Sequence, residues 1–429
     1  MNSWFYKRQA CRLCDSTDVE CVVPLSEIPI ATPNVDVKNA TDEFAEVQDL
    51  SVPLALYICH SCGHLQLLDV INPDVQYNNF RYTTSISLGL PEHFRKFADE
   101  VIAAVAAAPG ALVVEVGSND GTLLRAFKEH GMKVLGIDPA QKIAARASAS
   151  GVKTLPTFFT ETLASEIRAK YGPADLVIAN NTFANIDDLT DFAAGVRGIL
   201  GPSGVFVFET SYGADVVQKT LIDTVYHEHL SYFMVVPLDR YFARHGLELI
   251  DVQHIWTKGG SIRGTVQLAG GSRSRAASVD AMIVEEKRLG FDGMAPFRKL
   301  SSDVTTLKKE VAALVEARRA AGKRIAGYAA SVGTVTLIQL FQLGSVLEFI
   351  ADDNPLCEYI ASADYRIPVV SPELIYERKP DSVIVLAWRY ADPIIAKHQR
   401  YLMDGGEFII PLPKVSIRSS LPPVSRIKN

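Results

Sequence analysis

The sequence predicts an α/β protein built on doubly wound parallel sheets, with a small metal-held domain in front of them. Three observations lead there. Short apolar runs alternate with helix-period runs in two separate series, the first series carries a glycine-rich strand-to-helix turn, and four of the six cysteines form two C-x₂-C pairs near the N-terminus. At 429 residues the chain has room for about three domains. Its 48% apolar and 21% charged residues are globular composition and exclude a collagen-like, coiled-coil or disordered chain. The net charge of −6 offers no footprint for a phosphate backbone, which argues against a nucleic-acid partner.

The expected domains are 1–79, 80–270 and 271–429. In the first, alternating runs such as Ser51 to Ile58 predict small β-hairpins around a metal. In the second, Phe94, Phe97, Val101 and Val105 mark a helix from about Leu90 to Ala108. Strands are expected at Ala111–Val116, Lys133–Ile137, Leu176–Asn180 and Gly204–Glu209. The polar stretch Gly270–Arg275 reads as a flexible linker. In the third domain, Val304, Leu307, Val311 and Leu314 predict a long helix. Strands at Arg324–Tyr328, Val346–Ile350 and Ser382–Leu386 follow it. The first residues hold Trp4, Lys7, Arg8 and Arg12 but no apolar leader region. Val101–Val116, the most apolar stretch, is broken by Pro109, Gly110 and Glu115. A cytoplasmic chain is expected, as a monomer or small homo-oligomer.

Cys11 and Cys14 are followed, after 44 intervening residues, by Cys59 and Cys62. Each C-x₂-C turn puts two thiolates on one side of a tight loop, and two such turns complete a tetrahedral zinc site. Four sulfurs leave no open coordination position, so the metal is expected to be structural. The bland alternative is four reduced cysteines in turns. His60 and His64 are substitute ligands, and Cys21 and Cys357, which fit no pair, are expected to be buried thiols.

Val113 to Thr122 reads as a buried strand, a turn with Gly117 and Gly121, and a helix start. Such a turn lets the backbone approach a ligand at the strand's C-terminal end. Glu115, Asn119 and Asp120 lie in it, and Asp138, beside Pro139, ends the next strand, where a carboxylate can accept both hydroxyls of a ribose. Asn180 and Asn181 end the third. The competing reading is a nicotinamide site or a plain tight turn. The pattern resembles the class I methyltransferases that use S-adenosylmethionine, whose loop holds the cofactor's amino-acid end.

Tyr226-His227-Glu228-His229 and the nearby Tyr232 crowd two imidazoles, a carboxylate and two phenols into seven residues. Imidazole titrates near neutrality and suits proton abstraction. The H-E-x-x-H spacing of a helical metal site is absent. In the third domain Gly327–Thr334 follows a strand and opens a helix, so that Ser331 and Gly333 face a potential anion. Asp352, Asp353 and Asn354 end the next strand, and Trp388, Arg389 and Tyr390 a third; strand-end Asp and Asn serve equally as caps.

Taken together, the cysteine pairs, the cofactor turn, Tyr226-x-Glu228-His229, Lys258-Gly259-Gly260-Ser261-Ile262-Arg263, Ala351–Pro355 and Leu386–Tyr390 resemble the sugar C-methyltransferases of deoxysugar biosynthesis. The resemblance runs from Cys11 to about Pro413. It implies a class I methyltransferase Rossmann-like domain between a zinc-binding domain and a second, nucleotide-sugar-binding Rossmann-like domain. The implied substrate is a nucleotide-linked 4-keto-deoxysugar, methylated on carbon 3 through an enolate. His229 would be the base, with Tyr226 and Glu228 beside it. Arg81–Ser85 resembles the family's Tyr-(Ser/Thr)-Ser segment, which makes Tyr82 the matching tyrosine and Tyr77 its fallback. The sequence departs from the family at Asn185, where a histidine is usual; an amide bonds a sugar oxygen but moves no proton. Because the substrate is anionic and the chain acidic, local cations are expected at Lys258, Arg263 and Arg389. An O- or N-methyltransferase, or a zinc-binding interaction protein without catalysis, would leave parts of this pattern without a use.

Overall fold

A computed structural model describes residues 4–30, 50–78, 80–87, 89–354 and 357–419. Asn79, the expected end of the first domain, and Pro355 of the Ala351–Pro355 motif lie outside the described residues. The chain forms two compact units. The first holds Met1–Val22, Ala55–Val216 and His227–Pro296, and the second Val23–Leu54, Val217–Tyr226 and Phe297–Asn429.

The N-terminal strands are β1 (Phe5–Lys7), β2 (Val19–Pro29), β3 (Ser51–Cys59), β4 (Leu65–Gln66) and β5 (Asp69–Ile71). β1 pairs antiparallel with β5, and β3 with β4. The chain leaves the first unit inside β2 and returns inside β3. Cys21 is exposed rather than buried, because the outer end of β2 reaches the core only from Val22 onward, and Cys357 is half-buried.

The next strands are β6 (Leu112–Val116), β7 (Lys133–Ile137), β8 (Thr154–Leu155), β9 (Ala174–Asn180), β10 (Leu200–Ser211), β11 (Ser231–Tyr232), β12 (Leu247–Ile255) and β13 (Ser261–Leu268). β11 extends the N-terminal strands by pairing with β4. The others form one seven-stranded sheet in the order β12-β13-β10-β9-β6-β7-β8. β10, β9, β6, β7 and β8 are parallel, while β13 runs antiparallel between β10 and β12. This is the class I methyltransferase sheet. All five residues of β6 are buried, as befits a parallel strand covered on both faces. The helix Leu90–Val105 lays Phe94, Phe97, Val101 and Val105 on a core shared with Val113, Leu123 and Phe127. The strand order reverses direction about β6, so the C-terminal ends of β6 and β9 open a crevice where sheets of this kind bind ligands.

The first unit extends past the boundary expected at residue 270. Gly270–Arg275 is not a free linker: Arg273 donates to the carbonyl of Val105 at 3.0 Å, and Arg275 bridges Asp239 and Asp280. The buried Glu286, on the following helix Ala277–Arg288, accepts the N–H groups of Val235 and Val236 and the hydroxyl of Tyr212. A carboxylate at a helix N-terminus, here that of Val235–Arg244, is a favourable anchor.

The second unit carries β14 (Ile325–Tyr328), β15 (Leu347–Ala351), β16 (Tyr359–Ser362), β17 (Tyr365–Val370), β18 (Ser382–Val385), β19 (Glu407–Ile410) and β20 (Ser416–Ser419). Their order is β16-β17-β15-β14-β18-β19-β20, with a parallel centre and antiparallel edges. It is a second Rossmann-like sheet. The helix Ala295–Ala320 buries Val304, Leu307 and Val311, while Leu314, the fourth residue of the expected stripe, is half-buried. Among the described residues no helix is long and apolar enough to cross a membrane.

Candidate functional site

The four paired cysteines come together. Their sulfurs all lie within 4.8 Å of one another, with Cys14 to Cys59 at 3.5 Å and Cys11 to Cys62 at 3.7 Å. A tetrahedron of zinc–sulfur bonds has edges of about 3.8 Å, so the donor set fits Zn²⁺. His60 bonds Glu20 at 3.0 Å and the buried His64 bonds Ser231 at 3.2 Å. Neither belongs to the sulfur cluster. Four sulfurs close the coordination shell, and the metal's work is structural.

At the end of β6 the chain turns through Gly117 at φ 71°, where a Cβ would lie 2.1 Å from Thr182 Oγ1. Gly121, at φ 76°, leads into the helix Thr122–Glu129. Asp138 is 7% exposed and accepts the N–H groups of Asn119 at 2.8 Å and Ala140 at 2.9 Å, one on each oxygen. Burial pushes its carboxyl up. Glu115 Oε2, Ser118 Oγ and both amide atoms of Asn180 are buried without a hydrogen-bond partner. Buried polar atoms are seldom left so, and four of them at the ends of β6 and β9 mark the place of a polar ligand. Burial first, then the charges of Asp138 and Asp120, hold the Glu115 carboxyl well above its usual range. A cation relieves such crowding, and S-adenosylmethionine carries both an ammonium and a sulfonium.

Two expected cofactor residues are engaged elsewhere. Asn119 takes the N–H of Thr84 at 2.9 Å and gives its amide to the carbonyl of Tyr82 at 2.9 Å. Asp120 takes the N–H of Ser85 at 3.0 Å and the hydroxyl of Thr122 at 2.6 Å. Their side chains hold the Tyr82–Ser85 segment against the turn. Asn181, at φ 55°, is fixed by its N–H on the carbonyl of Glu209, and Pro139 is half-buried.

The residues expected to carry acid–base chemistry are buried: His227 is 4% exposed, Glu228 7% and His229 8%. The N–H of Leu230 bonds the carbonyl of Ala184, beside Asn185 in the turn Phe183–Asn185. The Tyr77 hydroxyl is held well above its usual range by burial first and then by the charge of Glu228, with Asp138 adding to it. Asn185 Oδ1 is buried without a partner. The hydroxyl of Tyr82 meets Ser87 Oγ at 2.7 Å, and burial with the charges of Asp120 and Glu228 raises it too. Both tyrosines therefore feel Glu228, and Tyr77 feels Asp138 as well. Tyr226 closes the Val217–Tyr226 segment of the second unit, two residues before Glu228.

The expected cations are placed differently. Arg263, 5% exposed, pairs with Glu209 at 3.1 Å and Glu100 at 2.7 Å and stacks on Phe97. Its two carboxylate partners leave it no charge to offer an anion. Burial would raise the Glu209 carboxyl, but His93 at 2.8 Å and Arg263 outweigh it and hold it below the usual range. Arg389 pairs with Asp223 at 2.9 Å. Lys258 is exposed, in a turn at φ 54°.

In the second unit Ser331 caps the helix Val332–Leu340 in a reciprocal box with Thr334. Gly333 lets that helix approach the carbonyl of Asp223, which a Cβ would meet at 2.2 Å. Asp352 accepts the N–H groups of Ala330 and Asn354, both at 2.7 Å. Asn354 itself is exposed, and the indole Nε1 of Trp388 is buried without a partner. Ser118, whose buried hydroxyl lacks a partner, was not singled out from the sequence, and its position inside the Gly117–Gly121 turn was the available signal.

Family models match a zinc binding domain at residues 11–77, a methyltransferase domain at 91–252 and a C-methyltransferase C-terminal domain at 256–413. The C-methyltransferase NovU of Streptomyces niveus is 33% identical over 411 residues, covering 96% of this chain and 97% of the relative. Among solved structures, an S-adenosylmethionine-dependent methyltransferase from Clostridium acetobutylicum is 14% identical with a TM-score of 0.34, over 42% of this chain and 92% of that one. A magnesium protoporphyrin IX methyltransferase from Synechocystis PCC 6803 with bound S-adenosylmethionine is 13% identical with a TM-score of 0.31, over 41% and 79%.

Proposed function

The chain belongs to the S-adenosylmethionine-dependent C-methyltransferases that carry a zinc-binding domain, and we propose that it methylates carbon 3 of a nucleotide-linked 4-keto-deoxysugar in the cytoplasm. One observation carries the reading: Tyr77 is buried where it feels the charges of both Glu228 and Asp138. That supports an acceptor cluster neighbouring the carboxylate we assign to the cofactor ribose.

S-adenosylmethionine supplies an electrophilic methyl group. The protein's part is to make a carbon nucleophile from a C–H bond. A ketone at carbon 4 acidifies the hydrogen on carbon 3, and the His229 imidazole removes it as the enolate forms. Glu228 steadies the resulting imidazolium. The buried Tyr77 hydroxyl is suited to hold the developing enolate oxygen. Asn185 moves no proton, so the proton route ends on His229. Glu115, Gly117, Asn180 and Asp138 are assigned to the cofactor.

The test is incubation with S-adenosylmethionine and dTDP-, GDP- or CDP-linked 4-keto sugars in D₂O. Gain of one methyl group by mass spectrometry, with deuterium entering beside the ketone in the absence of cofactor, is the expected result. Methylation on oxygen or nitrogen, without exchange at carbon, would overturn it.

A further inference from the structure

Arg12 lies inside the first cysteine pair, between Cys11 and Cys14, and none of its side chain is exposed. A buried guanidinium is expensive unless it is paired and its donors are used. Here they are used in two directions. Nε and Nη2 reach Asp187 Oδ1 at 3.2 and 3.0 Å. Nη1 donates to the carbonyls of Leu67 at 2.6 Å and Leu230 at 2.8 Å.

Both ends of that span are next to acceptor-site residues. Leu230 follows His229, and Asp187 lies two residues after Asn185. The backbone of Leu230 is held on three sides. Its carbonyl also receives the N–H of Leu67 at 2.9 Å, and its own N–H bonds the carbonyl of Ala184 at 2.8 Å. Arg8 adds a second cation to Asp187 at 3.1 Å, and Tyr6 donates its hydroxyl to the same carboxylate. Burial would raise the Asp187 carboxyl, yet Arg12 and Tyr6 hold it below its usual range.

We infer that Arg12 is a positioning residue through which the metal-bound cysteine turn fixes the backbone at His229 and at Asn185. The zinc domain then serves catalysis as well as stability. Its metal holds the Cys11–Cys14 turn, the turn aims the guanidinium, and the guanidinium sets where the imidazole stands. A misplacement of about 1 Å at a reacting group lowers a rate by roughly 10²-fold.

The inference rests on the proposed role of His229, so the test separates the two. Arg12→Met combined with Asp187→Asn removes both charges together and leaves no buried carboxylate unpaired. The expected result is kcat reduced about 100-fold, KM for S-adenosylmethionine within threefold of wild type, and one equivalent of zinc retained. Arg12→Lys, which still reaches the two carbonyls, recovers part of kcat. Amide hydrogen exchange at Leu230 rises in the double variant with no acceptor present, a readout that stands whatever sugar is used. If the double variant does not fold, Arg12→Lys alone carries the test, with a smaller fall in kcat and a smaller rise in exchange. An unchanged kcat with Leu230 still protected overturns the inference, and so does a loss of kcat that only tracks loss of zinc or of cofactor binding. Failure of every 4-keto sugar to be methylated by wild type, with Leu230 exchange behaving as described, overturns the acceptor reading alone.

Discussion

At the C-terminal ends of β6 and β9, Glu115 Oε2, Ser118 Oγ and the Asn180 amide are buried without protein partners. At the ends of β14 and β15 in the other unit, Asp352 is bonded to two backbone N–H groups, Ser331 is closed in a capping box and Asp353 meets Tyr328 at 2.9 Å. Both sheets have parallel centres and both place Gly, Asp and Asn after their strands. The difference is that one set of polar atoms is waiting for something and the other has already satisfied its own turns. Residue type at a strand end is therefore a weak guide to binding, and the hydrogen-bond account of each atom is the stronger one.

Four experiments press on that contrast. His229→Ala should lower kcat by about 10²- to 10⁴-fold while S-adenosylmethionine binding by calorimetry stays at the wild-type value. Asp138→Ala comes next. Loss of an acceptor for two ribose hydroxyls should weaken cofactor binding by about 10- to 100-fold, at roughly 1.5–3 kcal/mol for a bond to a charged group. If cofactor affinity were instead untouched, the open strand ends of the first sheet would have been misassigned.

The third concerns pH. Glu209 has a folded value below the usual 4.5, so its stabilising effect is complete above that pH and is lost as pH falls through the folded value. Denaturant titrations below pH 4.5 should show a steeper loss in wild type than in Glu209→Gln. Equal slopes would mean that the Arg263 and His93 contacts do not stabilise the ionised form. The smallest effect is expected from Ser331→Ala, about 1 kcal/mol of stability from a lost cap, with cofactor affinity unchanged. A fall in nucleotide-sugar affinity well beyond that would return Ser331 to the substrate.

What the sequence made legible was local. The C-x₂-C pairs, the β6 turn and Asp138 at the end of β7 are each written within a few residues, and the parallel strands read as continuous apolar runs. What it hid was long-range. Arg263 looks like a cation for an anionic substrate until Glu209 and Glu100, far away in the chain, close on it. The motif points to Tyr82 with Tyr77 as its fallback, whereas it is Tyr77 that feels both Glu228 and Asp138. The polar Gly270–Arg275 stretch has linker composition, yet its arginines find Val105, Asp239 and Asp280. Asn119 and Asp120 sit in the cofactor turn by sequence and spend their side chains on Tyr82–Ser85.

The second unit is built from Val23–Leu54, Val217–Tyr226 and Phe297–Asn429. During synthesis its first piece leaves the ribosome long before its last. No single cut separates the two bodies, so a gene truncated before Phe297 would encode the methyltransferase sheet with two orphaned stretches attached. Expression of either half calls for rejoining the chain ends with new loops, and in the cell the full-length nascent chain has reason to depend on chaperones.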